Sequence, residues 1–163
     1  MLLVVADTSP IRYLVQIGQI ELLPRLFQRI TLPTVVADEL RHPSAPPAVR
    51  TWIELLPNWV TVSSAPAVHD SQLDTLDPGE RAATALGLSL NADLLLIDER
   101  KGAAAARSRG LEVTGTLGIL DLAAERGYLR LSDALDRLKQ TNFRYRADLL
   151  AALLKKHEDA GRA

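Results

Sequence analysis

Four acidic residues, Asp7, Glu39, Glu80 and Asp98, stand at points where a chain of alternating strands and helices gathers side chains. Asp7 follows the apolar run 2–6 and Asp98 the apolar run 94–97, both patterned as strands buried on two faces of a parallel sheet. Open parallel sheets bind ligands beyond the carboxyl ends of their strands. Acids placed there are candidates for metal or substrate chemistry, although each could instead cap the helix that follows. For Asp7 the capping alternative is weakened, because Ser9 followed by Pro10 already reads as an N-cap and a first helical residue.

Glu39 and Glu80 belong to predicted helices. At about 100° per residue, Val35, Val36 and Leu40 define an apolar arc with Glu39 inside it. A carboxylate aimed at a core needs a partner, a metal ion or a buried basic group, unless it snorkels from the edge of the arc. Glu80 has a structural explanation of its own, since Asp77 and Glu80 have the spacing of a capping box. Above it, Ala83, Thr84 and Gly87 are small, which leaves room for close packing or for a ligand.

As a set, four carboxylates on four elements suit a hard divalent cation, Mg²⁺ or Mn²⁺, which takes oxygen ligands. Such a site can activate water against a phosphodiester. The absence of cysteine removes thiolate metal sites, a thiol nucleophile and disulfides, and His42, His69 and His157 have no ligand spacing. Thr8 and Ser9 could hydrogen-bond a phosphate or a metal-bound water, with helix capping as the alternative for Ser9. Thr116 opens a helix after another strand, a seat for phosphate or an ordinary turn. Arg81, Arg100, Lys101, Arg107 and Arg109 flank these positions and could meet a nucleic-acid backbone or simply be solvated. Trp52 and Trp59 sit among aliphatic residues and are read as packing groups.

The elements that must hold these residues can also be read. With 163 residues, 47% hydrophobic and 24% charged, the chain is sized and composed for one globular domain, 1–163. Helices are expected over 9–17, 33–41, 48–56, 77–90, 99–108 and 115–127, with apolar repeats at 22–27. Strands are expected at 2–6, 29–32, 59–62, 93–97 and 111–114, and two amphipathic helices over 132–157. Alternating strands and helices predict a parallel sheet covered on both faces. A formal charge of -1 gives no bulk positive field. The opening apolar run is too short for a signal peptide or membrane span, which leads to the expectation of a soluble cytoplasmic protein without membrane contact.

Taken in order, Asp7-Thr8-Ser9, Val35-Val36-Ala37-Asp38-Glu39-Leu40, Leu76-Asp77-Pro78-Gly79-Glu80-Arg81-Ala82-Ala83, Leu94-Leu95-Leu96-Ile97-Asp98-Glu99 and Val113-Thr114-Gly115-Thr116-Leu117-Gly118 resemble the PIN-domain superfamily. Within it the chain is similar to the predicted nucleic-acid-binding branch related to the toxin ribonucleases of VapBC-type toxin–antitoxin modules, over about residues 1–131. The resemblance implies a single-domain, three-layer α/β/α sandwich with a central parallel sheet and a Mg²⁺- or Mn²⁺-dependent endoribonuclease acting on RNA. It puts the four family acids at Asp7, Glu39, Glu80 and Asp98, and it implies a small antitoxin partner and a homodimer. Two departures stand out. Glu80 occupies a position where many members carry Asp, and Glu99 and Lys101 stand where many carry a further acid, which leaves the number of metal ions open. Thr8, Ser9, Thr116, Arg81 and Lys101 are the expected substrate contacts. A second reading is a non-catalytic binding module that keeps the fold. A phosphatase with Asp7 as nucleophile is disfavoured, because Ser9 stands where that chemistry has a second Asp.

Overall fold

The computed structural model describes residues 2–68 and 70–161, so His69 lies outside the described residues. The chain forms two compact units, one up to Thr116 and one from Leu117.

The first unit is built on a five-stranded, wholly parallel sheet: β1 (Val4–Ala6), β2 (Ile30–Pro33), β3 (Val60–Ser63), β4 (Leu94–Leu96) and β5 (Val113–Thr114), in the order β3-β2-β1-β4-β5. Around it run α1 (Thr8–Gln16), α2 (Leu22–Phe27), α3 (Thr34–Arg41), α4 (Pro47–Glu54), α5 (Pro78–Ser89) and α6 (Arg100–Ser108), which makes the fold an α/β/α sandwich of the expected class. All three residues of β1 are buried, as an apolar strand covered on both faces requires.

From β1 the chain winds outward through β2 and β3, then returns to the other side of β1 with β4 and β5. The order therefore reverses between β1 and β4, the crevice where doubly wound sheets bind ligands. Register sets what stands there. Val4, Val5 and Ala6 pair with Leu94, Leu95 and Leu96, and the Asp7 N–H donates to the Leu96 carbonyl at 2.8 Å. Asp7 and Asp98 thus leave adjacent strands at the same end.

Element ends differ from expectation by one to a few residues, and one residue changes element. Pro33 ends β2, paired with Ser63, instead of opening α3; its missing N–H is harmless at a strand end. The polar stretch after β3 contains a 3₁₀ turn, Leu73–Thr75, and is anchored by Arg109, whose Nε donates to Asp70 at 2.9 Å.

In the second unit, α7 (Thr116–Glu125) leads through Gly127, at φ +74°, to α8 (Leu131–Lys139) and then to α9 (Ala147–Gly161). Leu131, Ala134, Leu135, Leu138 and Leu150 are buried, whereas Leu149 is exposed. α9 is tied to α7 by Lys156 Nζ, 3.1 Å from Asp121 and 2.6 Å from Glu125, and by His157 Nε2, 2.7 Å from Asp121. His157, given no role from the sequence, therefore has a structural one. Among the described residues no helix is long and apolar enough to cross a membrane.

Leu95, fully buried in β4, packs in one cluster with Val5, Ala83, Leu86, Ile97 and Ala106. Leu95→Ala is expected to destabilise the fold by about 3 kcal/mol, measured as a lowered midpoint in urea.

Candidate metal centre

Asp7 occupies the N-cap position of α1, yet its side chain makes no capping hydrogen bond. The helix starts at Thr8, two residues before the expected Pro10, so Ser9 is not its cap. Asp7 is buried, at 4% exposure. Burial chiefly, with the charges of Asp77, Glu39 and Asp98, pushes its pKa up to about 7 against the opposing Thr8 backbone N–H.

Glu39 comes from α3. Its expected burial inside an apolar arc is only partly met, because Val35 is 37% exposed and the buried face is Val36, Ala37 and Leu40. Glu39 therefore lies at the edge of that face, half-buried, and accepts a hydrogen bond from the Thr8 hydroxyl. Asp38 is exposed and pairs with Arg41.

Glu80 sits in the first turn of α5. Asp77 caps that helix by accepting from the Glu80 N–H at 2.9 Å, leaving the Glu80 side chain buried at 7% exposure. Burial first, then a carboxyl–carboxyl hydrogen bond and charge repulsion from Asp77, with further repulsion from Asp7 and Glu99, raise its pKa well above the carboxylate range.

Asp98 is held from three directions. It accepts from the Thr116 N–H and the Thr116 hydroxyl, both at 2.6 Å, and from the Ser9 hydroxyl. Burial still raises its pKa above the usual value, against those donors. Capping of α6 falls to the next residue, Glu99, which accepts from the Gly102 N–H at 2.9 Å.

Three glycines, which the sequence reading passed over as site residues, let these groups approach. A Cβ on Gly79 would stand 2.7 and 2.9 Å from the Glu39 carboxylate oxygens and 3.0 Å from Asp7 Oδ1, so Asp7 and Glu39 flank one point. A Cβ on Gly115 would stand 2.6 Å from Asp98 Oδ1, and one on Gly102 would stand 2.7 Å from Ile97 Cδ1 and 3.5 Å from Glu80. Gly79 and Gly102 lie in the first turns of helices, where glycine costs about 1 kcal/mol relative to alanine. That local disadvantage is the signal that could have found them. Asp77, read only as a cap, also belongs to the acidic group through its charge on Asp7 and Glu80.

Other expected contacts have different neighbours. Thr8, Ser9 and Thr116 direct their hydroxyls at carboxylates instead of at open solvent. Arg81 stands 3.6 Å from Asp74, in a groove with Val35, Pro66 and Pro78. Lys101 is exposed on α6. Arg109 is tied to Asp70, and the Trp52 and Trp59 rings pack at 6.0 Å.

None of the four acids forms an ion pair with a basic side chain among the described residues. Buried carboxylates that repel one another and have no basic counter-charge are a donor set suited to a hard cation. They do not form a finished cage, since no group of three or more acidic or histidine side chains among the described residues stands at ligand spacing.

A doubly wound parallel sheet with acids at its switch point defines an α/β fold of the kind that binds ligands beyond its strand ends. The chain belongs to the DUF3368 family of PIN domains, whose family model matches residues 3–159. No curated protein matches it closely enough to count as a relative.

The raised Asp7 pKa fixes the sign of a pH effect. Between about pH 4 and 7 the folded protein keeps a proton that the unfolded chain releases, so this stabilising contribution is full below pH 4 and lost above pH 7. Without metal, thermal stability is expected to fall from pH 5 to pH 8, with Asp7 contributing at most on the order of 4 kcal/mol. Calorimetric melting of Asp7→Asn should show a flatter profile, with Glu80 and Asp98 supplying the remaining slope; an unchanged slope would contradict the buried-acid account.

Proposed function

We propose that this protein is a metal-dependent endoribonuclease. PIN domains are generally nucleases, and their nucleases typically use divalent metals. The single observation that carries the reading for this chain is the gathering of buried and half-buried carboxylates at the β1/β4 switch point, none of them ion-paired with a basic side chain among the described residues.

In this reading Asp7, Glu39, Glu80 and Asp98 hold Mg²⁺ or Mn²⁺. The ion supplies an activated water and charge stabilisation at the scissile phosphodiester. The chain's residues do the positioning. Thr8 orients Glu39, while Ser9 and Thr116 fix both oxygens of Asp98, the kind of outer support that orients ligands in metal sites. Gly79, Gly102 and Gly115 keep the space beside the acids free of side chains. Lys101 and Arg81 stand near enough in sequence to the acids to meet the RNA backbone, Arg81 by exchanging Asp74 for phosphate. The family match runs through both compact units, which supports treating 1–163 as one PIN-like domain with 132–157 as its C-terminal helices. Membership of the toxin branch, with a small antitoxin, a homodimer and a cytoplasmic site of action, belongs to the same reading and rests on the resemblance alone.

One observation favours a non-catalytic binding module instead: no three acids among the described residues stand at ligand spacing. Metal decides between the two. The nuclease reading expects RNA cleavage with Mg²⁺ or Mn²⁺, its loss in EDTA, and a fall of about 100-fold or more in Asp7→Asn and Asp98→Asn. Metal-independent cleavage, or full activity in both variants, would overturn it; no calorimetric Mn²⁺ binding at millimolar metal by folded protein would favour the scaffold. Gly79→Ala separates site from fold. Its methyl group would displace the mobile end of Glu39, so Mn²⁺ affinity should drop about 10- to 100-fold, while the melting temperature stays close to that of the parent.

A further inference from the structure

A cavity of about 340 Å³ opens beside Glu39, enclosed by α1, α3, the turn after α3 and the start of α4. Its chemistry is graded. Leu40 and Val49, both buried, give it an apolar floor with Pro46. Arg12, His42 and Ser44 give it a polar rim, and Thr8 and Glu39 close its inner end.

Glu39 joins this cavity to the acidic centre, because the same carboxylate that lines it faces Asp7 across Gly79. Whatever occupies the cavity is therefore held next to the reacting position. Arg12 is the permanently cationic residue of its wall, beside a centre that is otherwise acidic, and a guanidinium there suits a phosphate or an acceptor-rich base edge. His42 is also oriented. Its Nδ1 accepts from the Ser44 N–H at 3.1 Å and lies 2.7 Å from the Ser44 hydroxyl, so the neutral ring carries its proton on Nε2 as a donor.

We propose that this cavity is a nucleoside-binding subsite that seats the residue of the RNA strand flanking the scissile phosphate. The apolar floor takes the flat face of the base, the His42–Ser44 rim meets its polar edge, and Arg12 meets the adjoining phosphate. The volume is at the small end for ligand pockets, as expected for one nucleoside unit of a longer chain. This deepens the nuclease reading and rests on it for the position of the cut.

The test uses fluorescence anisotropy of a labelled, phosphorothioate-linked octaribonucleotide with Mg²⁺, together with cleavage of the unmodified RNA. The variants are Arg12→Ala, Ser44→Trp, which fills the rim from an exposed position, and Lys139→Ala on α8 as a charge-loss control. Thermal melting checks that each is folded. Arg12→Ala and Ser44→Trp should each weaken binding about ten-fold or more, with the loss appearing in KM, and Lys139→Ala should bind as the parent does. Binding within two-fold of the parent in both rim variants would overturn the subsite even if cleavage is normal, as would no binding by the parent. Rim-dependent binding without cleavage would keep the subsite and overturn the nuclease reading.

Discussion

The burial of carboxylates, sharpened for Asp7 and Glu80 by charge repulsion, is the constraint around which this structure is arranged. Asp7 and Glu80 are buried, Asp98 is half-buried, and all three titrate above their ordinary range. Among the described residues none of the three is ion-paired with a basic side chain; neutral donors and glycines stand beside them instead. Thr8 serves Glu39, Ser9 and Thr116 serve Asp98, and glycines stand where any larger residue would touch a carboxylate oxygen. Such an arrangement lowers the stability of the metal-free protein at neutral pH and keeps an anionic pocket available to a cation.

The sheet makes that concentration of charge possible. Short, fully apolar strands give β1 and β4 a rigid register, and the reversal of strand order between them leaves a crevice into which no crossover runs. α5 then brings Asp77, Gly79 and Glu80 against it through one N-terminal turn. The capping bond from Glu80 N–H to Asp77 is thus both a local start signal for α5 and part of the site.

Much of this was legible in the sequence because it rests on local signals. Apolar runs ending in Asp marked β1 and β4, and Asp77-Pro78 marked the start of α5. The parallel sheet followed from alternation of strand and helix. What was not legible depends on contacts between distant segments. Ser9 looked like a cap because its neighbour is Pro10, but its hydroxyl is taken by Asp98 across the sheet. The apolar arc of α3 was drawn with Val35 inside it, whereas tertiary packing buries Ala37 and leaves Val35 partly in water. The glycine positions carry no periodic signal at all, because their role is the absence of an atom beside another element.

The pairing of Asp98 with Thr116 also bears on synthesis of the chain. β1 is made first, but its neighbour β4 follows some ninety positions later, and the residue that clamps Asp98 later still. Parallel pairing across such a separation forms late, after the intervening loop has been closed. A nascent chain therefore carries its first acid long before the pocket can exist. Asp98 gains its Thr116 donors only after the rest of the sheet has been made, so its support is the last part of the site to form.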